Sequence, residues 1–151
     1  MKKRIIIRDE ACRIGLTIKG YEFDAGEVED DFDRNWLNIG VSYSDGVRRS
    51  RCTDPCLLTW ERDSIISHLQ GLLDGEIRAF DDDGDLWLTE PNLRLGARAN
   101  EDGTFSVRVG FNPEHKMGGM GFFHAEQVFT RRELVRMVAM LRLSRKSFPK
   151  R

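Results

Sequence analysis

An alternation with a period of two constrains this chain more than any other feature. Between Cys12 and Lys19, Ile14, Leu16 and Ile18 point one way while Arg13, Gly15, Thr17 and Lys19 point the other. That is the pattern of a strand with one buried and one wet face. Trp36 (or Leu37), Ile39, Val41 and Tyr43 repeat it, and Ser44-Asp45-Gly46 turns the chain into a further run over Val47–Thr53. Shorter runs lie at Arg4–Arg8, Ile77–Phe80, Leu86–Leu88, Leu93–Ala99, Thr104–Phe111 and Phe122–Phe129. Asp81-Asp82-Asp83-Gly84-Asp85 and Asn100-Glu101-Asp102-Gly103 supply turn chemistry between them. The least regular stretches are Tyr21–Asn35 and Asn112–Gly121.

Two segments change to a helical period. After Thr59, the side chains of Ile65, Ile66, Leu69, Leu72 and Leu73 share one stripe, and Asp74-Gly75 ends it. The second helix starts with Thr130 and Glu133 at capping-box spacing and with Phe129 and Leu134 at staple spacing. Leu134, Val138 and Leu141 form its buried stripe, and Pro149 marks its end. The spacing predicts helices over about 60–73 and 131–146. Because they do not alternate with strands one by one, a doubly wound parallel sheet is excluded. The expected fold is α+β: a mainly antiparallel β-sheet covered by two α-helices. At 151 residues, one domain over 1–151 is the natural organisation, and no internal sequence repeat is evident.

Composition narrows function. Lys plus Arg number 24 against 25 Asp plus Glu, a net charge of -1, without the overt basic excess usual in a nucleic-acid binder. No apolar run approaches the roughly 20 residues a membrane helix needs. Lys2-Lys3-Arg4 before Ile5-Ile6-Ile7 has the outline of a signal peptide, but Arg8-Asp9-Glu10 cuts the apolar part short. Cys12, Cys52 and Cys56 are too few and odd in number for a disulfide framework. A cytoplasmic protein is expected.

Reactive constellations are weak. Cys52 and Cys56 are spaced C-x3-C, but no second ligand pair exists for zinc, and Cys56 before Leu57-Leu58 suits burial. An EF-hand frame on the acidic turn puts Ala79 at its first position, so an acidic hairpin turn is the better account. No metal or other cofactor is expected. There is no G-x-S-x-G, and no phosphate-binding glycine motif. His124 or His115 with a nearby carboxylate would be the basis of a small hydrolase. His68, beside Leu69 on the first helix, is explained by packing or exposure.

Charge segregation is the clearer signal. Asp24, Glu27, Glu29, Asp30, Asp31 and Asp33 are six acids in ten residues without a base, preceded by Tyr21 and Phe23. Arg131–Arg151 carries eight bases against Glu133 alone. Either segment serves as a solvated surface. The acidic one also fits presentation to a basic partner, with the two aromatics as apolar anchors. The basic helix is the feature an RNA-binding module would use.

Three motifs carry a family resemblance: Asp33-Arg34-Asn35-Trp36-Leu37, Thr53-Asp54-Pro55-Cys56-Leu57-Leu58-Thr59-Trp60-Glu61, and Thr89-Glu90-Pro91-Asn92-Leu93. In order and spacing they resemble the WapI family of bacterial immunity proteins, as does the closing Phe148-Pro149. The resemblance implies an antidote, not an enzyme, that binds the C-terminal domain of a secreted polymorphic toxin, typically a nuclease. It implies no membrane or nucleic-acid partner. Local chemistry gives the motifs structural work as well. Asp54-Pro55 suits a turn into the first helix, Glu90-Pro91-Asn92 a break between strands, and Trp36, Trp60 and Trp87 positions in or beside the core. The partner surface is then expected outside the motifs.

Overall fold

A computed structural model describes residues 4–81, 85–113 and 122–151. Four strands, β1 (Ile5–Arg8), β2 (Arg13–Tyr21), β3 (Trp36–Ser44) and β4 (Arg49–Leu58), lead into α1 (Thr59–Asp74). Four more, β5 (Asp85–Leu86), β6 (Leu93–Ala99), β7 (Phe105–Phe111) and β8 (Phe123–Phe129), lead into α2 (Arg131–Ser147). The α+β class holds, with every strand pairing among the described residues antiparallel. The strands divide into two sheets, β1-β2-β3-β4 and β5-β6-β7-β8, so four strands and a helix occur twice in the chain. The sheets meet where the Arg8 backbone N–H donates to Gln127 Oε1 (3.0 Å) and the Glu126 N–H donates to Asp9 Oδ2 (2.9 Å).

The period-two faces pack as the alternation requires. Ile14, Leu37, Ile39 and Val41 of the first sheet and Val107, Val109 and Phe111 of the second enter one core with Leu69, Leu72, Leu134 and Val138 of the helices. Local chemistry sets the helix ends. Glu61 accepts a hydrogen bond from the Leu58 N–H at 3.0 Å, and Thr130 Oγ1 accepts one from the Glu133 N–H at 3.2 Å. Gly75 closes α1 with φ 74°, a left-handed conformation that costs glycine little.

Four local expectations are corrected. Asp54-Pro55 makes no turn: β4 runs through it straight into α1. As a sheet-edge strand β4 tolerates the missing proline N–H, and a register shift between Leu37 and Ile39 absorbs the irregularity. Ile77–Phe80 is no strand but a loop touching β6 through an Ala79–Arg98 bridge. The Leu86–Leu88 run pairs only at Asp85–Leu86. Trp87 is 88% exposed, outside the core. The Glu90–Asn92 break falls between β5 and β6 as expected. Most of Asn112–Gly121, including His115, lies outside the described residues, as does the middle of the Asp81–Asp85 turn.

Candidate partner-binding surface

The acidic segment joins β2 to β3, and its two ends are tied to the C-terminal residues. Tyr21 donates its hydroxyl to the Pro149 carbonyl and meets Phe148 edge-on at 5.6 Å. The Arg151 guanidinium lies 3.5 Å over the Tyr21 ring and donates to the Phe23 carbonyl at 2.9 Å. Tyr21 and Phe23 are therefore half-buried within this molecule, which limits what they offer as anchors. The aromatic that does face outward was not evident from the sequence. Phe32 is 43% exposed, stands between Asp31 and Asp33, and rests on Trp36 (5.6 Å) and Trp60 (5.5 Å).

Several acids shape the loop while still facing water. Asp30 Oδ1 accepts from the N–H groups of Phe32 (2.6 Å) and Asp33 (3.3 Å), and Glu27 accepts from the Asp24 N–H at 2.8 Å. Asp31 pairs with Arg34. Asp24 and Glu29 are exposed and, among the described residues, their carboxylates have no partner. Asp33 is half-buried. The negative field is felt by a neighbour: desolvation, then Asp33, Asp54 and Glu27, pushes the Glu22 carboxyl above its usual range.

The motif residues converge on a buried polar seam instead. Asn35, fully buried, accepts from Thr59 Oγ1 (2.7 Å) and the Arg151 N–H (2.9 Å) and donates to the carbonyls of Asp31 (2.5 Å) and Arg151 (3.1 Å). Glu61 accepts from Leu58 with one oxygen and from the Thr89 N–H (2.6 Å) with the other. Asn92 donates to Asp54 at 3.2 Å. Arg62, fully buried at the start of α1, donates to the Phe148 carbonyl at 2.6 Å and pairs with Asp63 at 3.0 Å. The three motifs thus join β3, β4–α1 and the approach to β6 to one another and to the C-terminal residues.

The other candidate groups are held apart. His124 is exposed on β8 and stacks on Phe122 at 5.4 Å; desolvation and then Arg94 lower its pKa. The Cys56 thiol is fully buried, and burial pushes it well above its ordinary range, which suppresses the reactive thiolate. Among the described residues no cluster of three or more His, Cys, Asp or Glu could hold a metal ion. On α2, Arg131, Arg132, Arg136, Arg142 and Arg145 are exposed, with Arg142 donating to Gln70 on α1 at 2.8 Å. No helix is long and apolar enough to cross a membrane, among the described residues.

Comparison with known proteins gives a family and a fold. The profile of the Immunity protein WapI-like family matches residues 4–149. No curated protein matches the sequence. Among solved structures, the plant transcriptional regulator PBF-2 aligns over 95% of this chain and 80% of its own, with TM-score 0.50 and 12% identity. A guide-RNA-binding protein complex bound to a guide RNA aligns over 100% and 96%, with TM-score 0.48 and 11% identity. WHY1 from Arabidopsis thaliana aligns over 95% and 88%, with TM-score 0.45 and 15% identity. At such identities the PBF-2 likeness speaks to fold alone.

Proposed function

The chain belongs to the Immunity protein WapI-like family, and from that premise we propose that it neutralises a cognate bacterial toxin domain by stoichiometric binding, with no reaction of its own. It acts as one domain over 1–151 in the cytoplasm of the producing cell. The acidic loop Asp24–Asp33 meets the toxin, with Tyr21 and Phe23 holding the loop's base against the C-terminal residues. One observation carries this reading. The family's own motifs are engaged in the internal seam, whereas Asp24, Glu27, Glu29, Asp30 and Asp31 face water around an exposed Phe32. A nuclease is the toxin such a loop suits best. A nuclease must present cations to phosphate, and carboxylates that cover those cations steer encounter and speed association.

The test is association of the purified protein with the toxin domain encoded beside it, with Asp24, Glu27, Glu29 and Asp31 replaced by Lys. The replacement should slow association at low salt by about tenfold or more, within the range electrostatic steering covers, and flatten its salt dependence. Unchanged association kinetics at low salt would remove the loop from the interface. His115→Ala and His124→Ala should each leave protection of toxin-expressing cells intact. Lost protection in a folded variant that still binds toxin would mean an enzymatic antidote.

A further inference from the structure

The outward face of the first sheet is a basic platform. The register aligns Arg8 with Arg13, Arg13 with Ser44 and Ser44 with Arg49, one row across all four strands. The next outward row is Ile6, Gly15, Ser42 and Arg51. Gly15 and Gly40 let two more cations lie flat on the sheet: their missing Cβ positions fall 3.0 Å from Arg4 Cδ and 2.6 Å from Lys19 Cε. Arg4, Arg8, Arg13, Lys19, Arg49 and Arg51 are all exposed, and none pairs with a carboxylate among the described residues. No outward position of these strands through Thr53 carries an acid.

This arrangement has a cost inside one molecule. Like charges directly opposite on neighbouring strands, as Arg8 and Arg13 are, repel each other. A counter-charge from outside would relieve that repulsion. The acidic loop of the same molecule cannot supply it, because it follows Tyr21 at the far end of β2 from Arg13. Eight residues of strand separate the two by about 27 Å at about 3.4 Å per residue. The Arg8, Arg13 and Arg49 row therefore stands at the opposite end of the first sheet from the acidic loop, with Lys19 nearer that loop. Beside the row, Asp9 is engaged by backbone N–H groups and Asp45 by Arg48, while Glu10 is exposed. Only a net charge of -1 keeps copies apart. The platform's outward positions carry no aromatic ring on which a nucleobase could stack, which favours a carboxylate-bearing protein over a single-stranded nucleic acid. Arginine forks match carboxylates in pairs.

We infer that the outward face of the first sheet docks the acidic loop of a second copy of this chain, giving reversible head-to-tail self-association. The inference does not rest on the toxin reading, although both use the loop.

Sedimentation of the full chain over a concentration series tests it. At about 0.01 M salt, where charges act over about 30 Å, the mean mass should rise with concentration. At about 0.15 M salt, where they act over about 8 Å, the association constant should fall by tenfold or more. Arg8→Gln/Arg13→Gln/Arg49→Gln neutralises one partner surface and Asp24→Asn/Glu29→Gln the other, so each folded variant alone should stay monomeric. Mixed, they retain one complementary contact and should form a closed 1:1 heterodimer. A wild type that stays monomeric at low salt, or variants that fail to combine, overturns the inference. So does binding of an RNA homopolymer that the Arg8/Arg13/Arg49 variant abolishes while self-association is absent. Toxin binding that persists after such a failure leaves the proposed function standing.

Discussion

The same connection is made twice in this molecule, at very different length. In the second sheet β6 passes to β7 through residues 100–104. Asn100 accepts from the Gly103 N–H (3.2 Å) and donates its own N–H to Thr104 (2.8 Å); Gly103 takes φ 85°, and Asp102 accepts from the Thr104 N–H at 3.0 Å and hydroxyl at 2.5 Å. In the first sheet the corresponding step from β2 to β3 takes residues 22–35 and carries the six acids. A short turn is therefore sufficient to join such strands, and apart from Asn35, which belongs to the buried seam, the longer link exceeds what the step needs. Long irregular connections of that kind serve function more often than folding.

The largest effects should be equal in the two halves, because both helices share one core. Leu69 on α1 is fully buried and Leu141 on α2 nearly so. Leu69→Ala and Leu141→Ala should each cost about 2–5 kcal/mol in denaturant titration, through lost burial plus the cavity left behind. Near-zero loss at either site would mean that its half is not built on that stripe.

A shorter effect separates the halves. Replacing Asp24–Asp33 with an Asn-Gly link, while keeping Asn35 and its bonds to Thr59 and Arg151, should leave cooperative unfolding intact. The contacts of Phe32 with Trp36 and Trp60 are lost, at about 0.5–1.5 kcal/mol per aromatic pair. Toxin affinity should fall by tenfold or more, about 1.4 kcal/mol. Loss of cooperative unfolding would make the long link structural after all, and unchanged affinity would make it idle.

How far the sequence reveals this follows from the range of the interactions. Strand alternation, both helical stripes and the Thr130 cap depend on neighbours a few residues apart, and they are legible. The division into two sheets depends on pairings between distant strands and is not. Asp54-Pro55 has turn chemistry locally, yet its place on a sheet edge lets the strand continue through it. Trp87 looks like core material by size, yet it stands 88% exposed. The acidic loop is visible because its six acids fall within ten residues of sequence. The basic platform is hidden because Arg4, Arg8, Arg13, Lys19, Arg49 and Arg51 are scattered among other residues until register aligns them. Phe32 is concealed by ordinary composition: nothing local distinguishes it from the buried Phe residues.

The smallest expected effect tests what each link does with its carboxylates. Hydrogen bonds from the Thr104 hydroxyl and N–H hold Asp102 below its usual range. Its stabilising contribution is therefore present above the unfolded carboxyl's pKa and lost as pH falls through the folded value. Glu22, at the start of the long link, is pushed up by desolvation and then by its acidic neighbours. Its contribution has the opposite sense: stability is present below the unfolded pKa and lost as pH rises through the folded value. Glu22→Gln should therefore stabilise the protein near pH 7, by about 0.5 kcal/mol or less at so exposed a site, and the gain should vanish in acid. Asp102→Asn should lower stability near pH 7, and its deficit should vanish in acid too. Urea titrations between about pH 3 and 7 span the ordinary carboxyl range and read both signs. If both substitutions shift stability near pH 7 in the same direction, the two links do not differ electrostatically, and the long one loses its claim to hold like charges together at the expense of the fold.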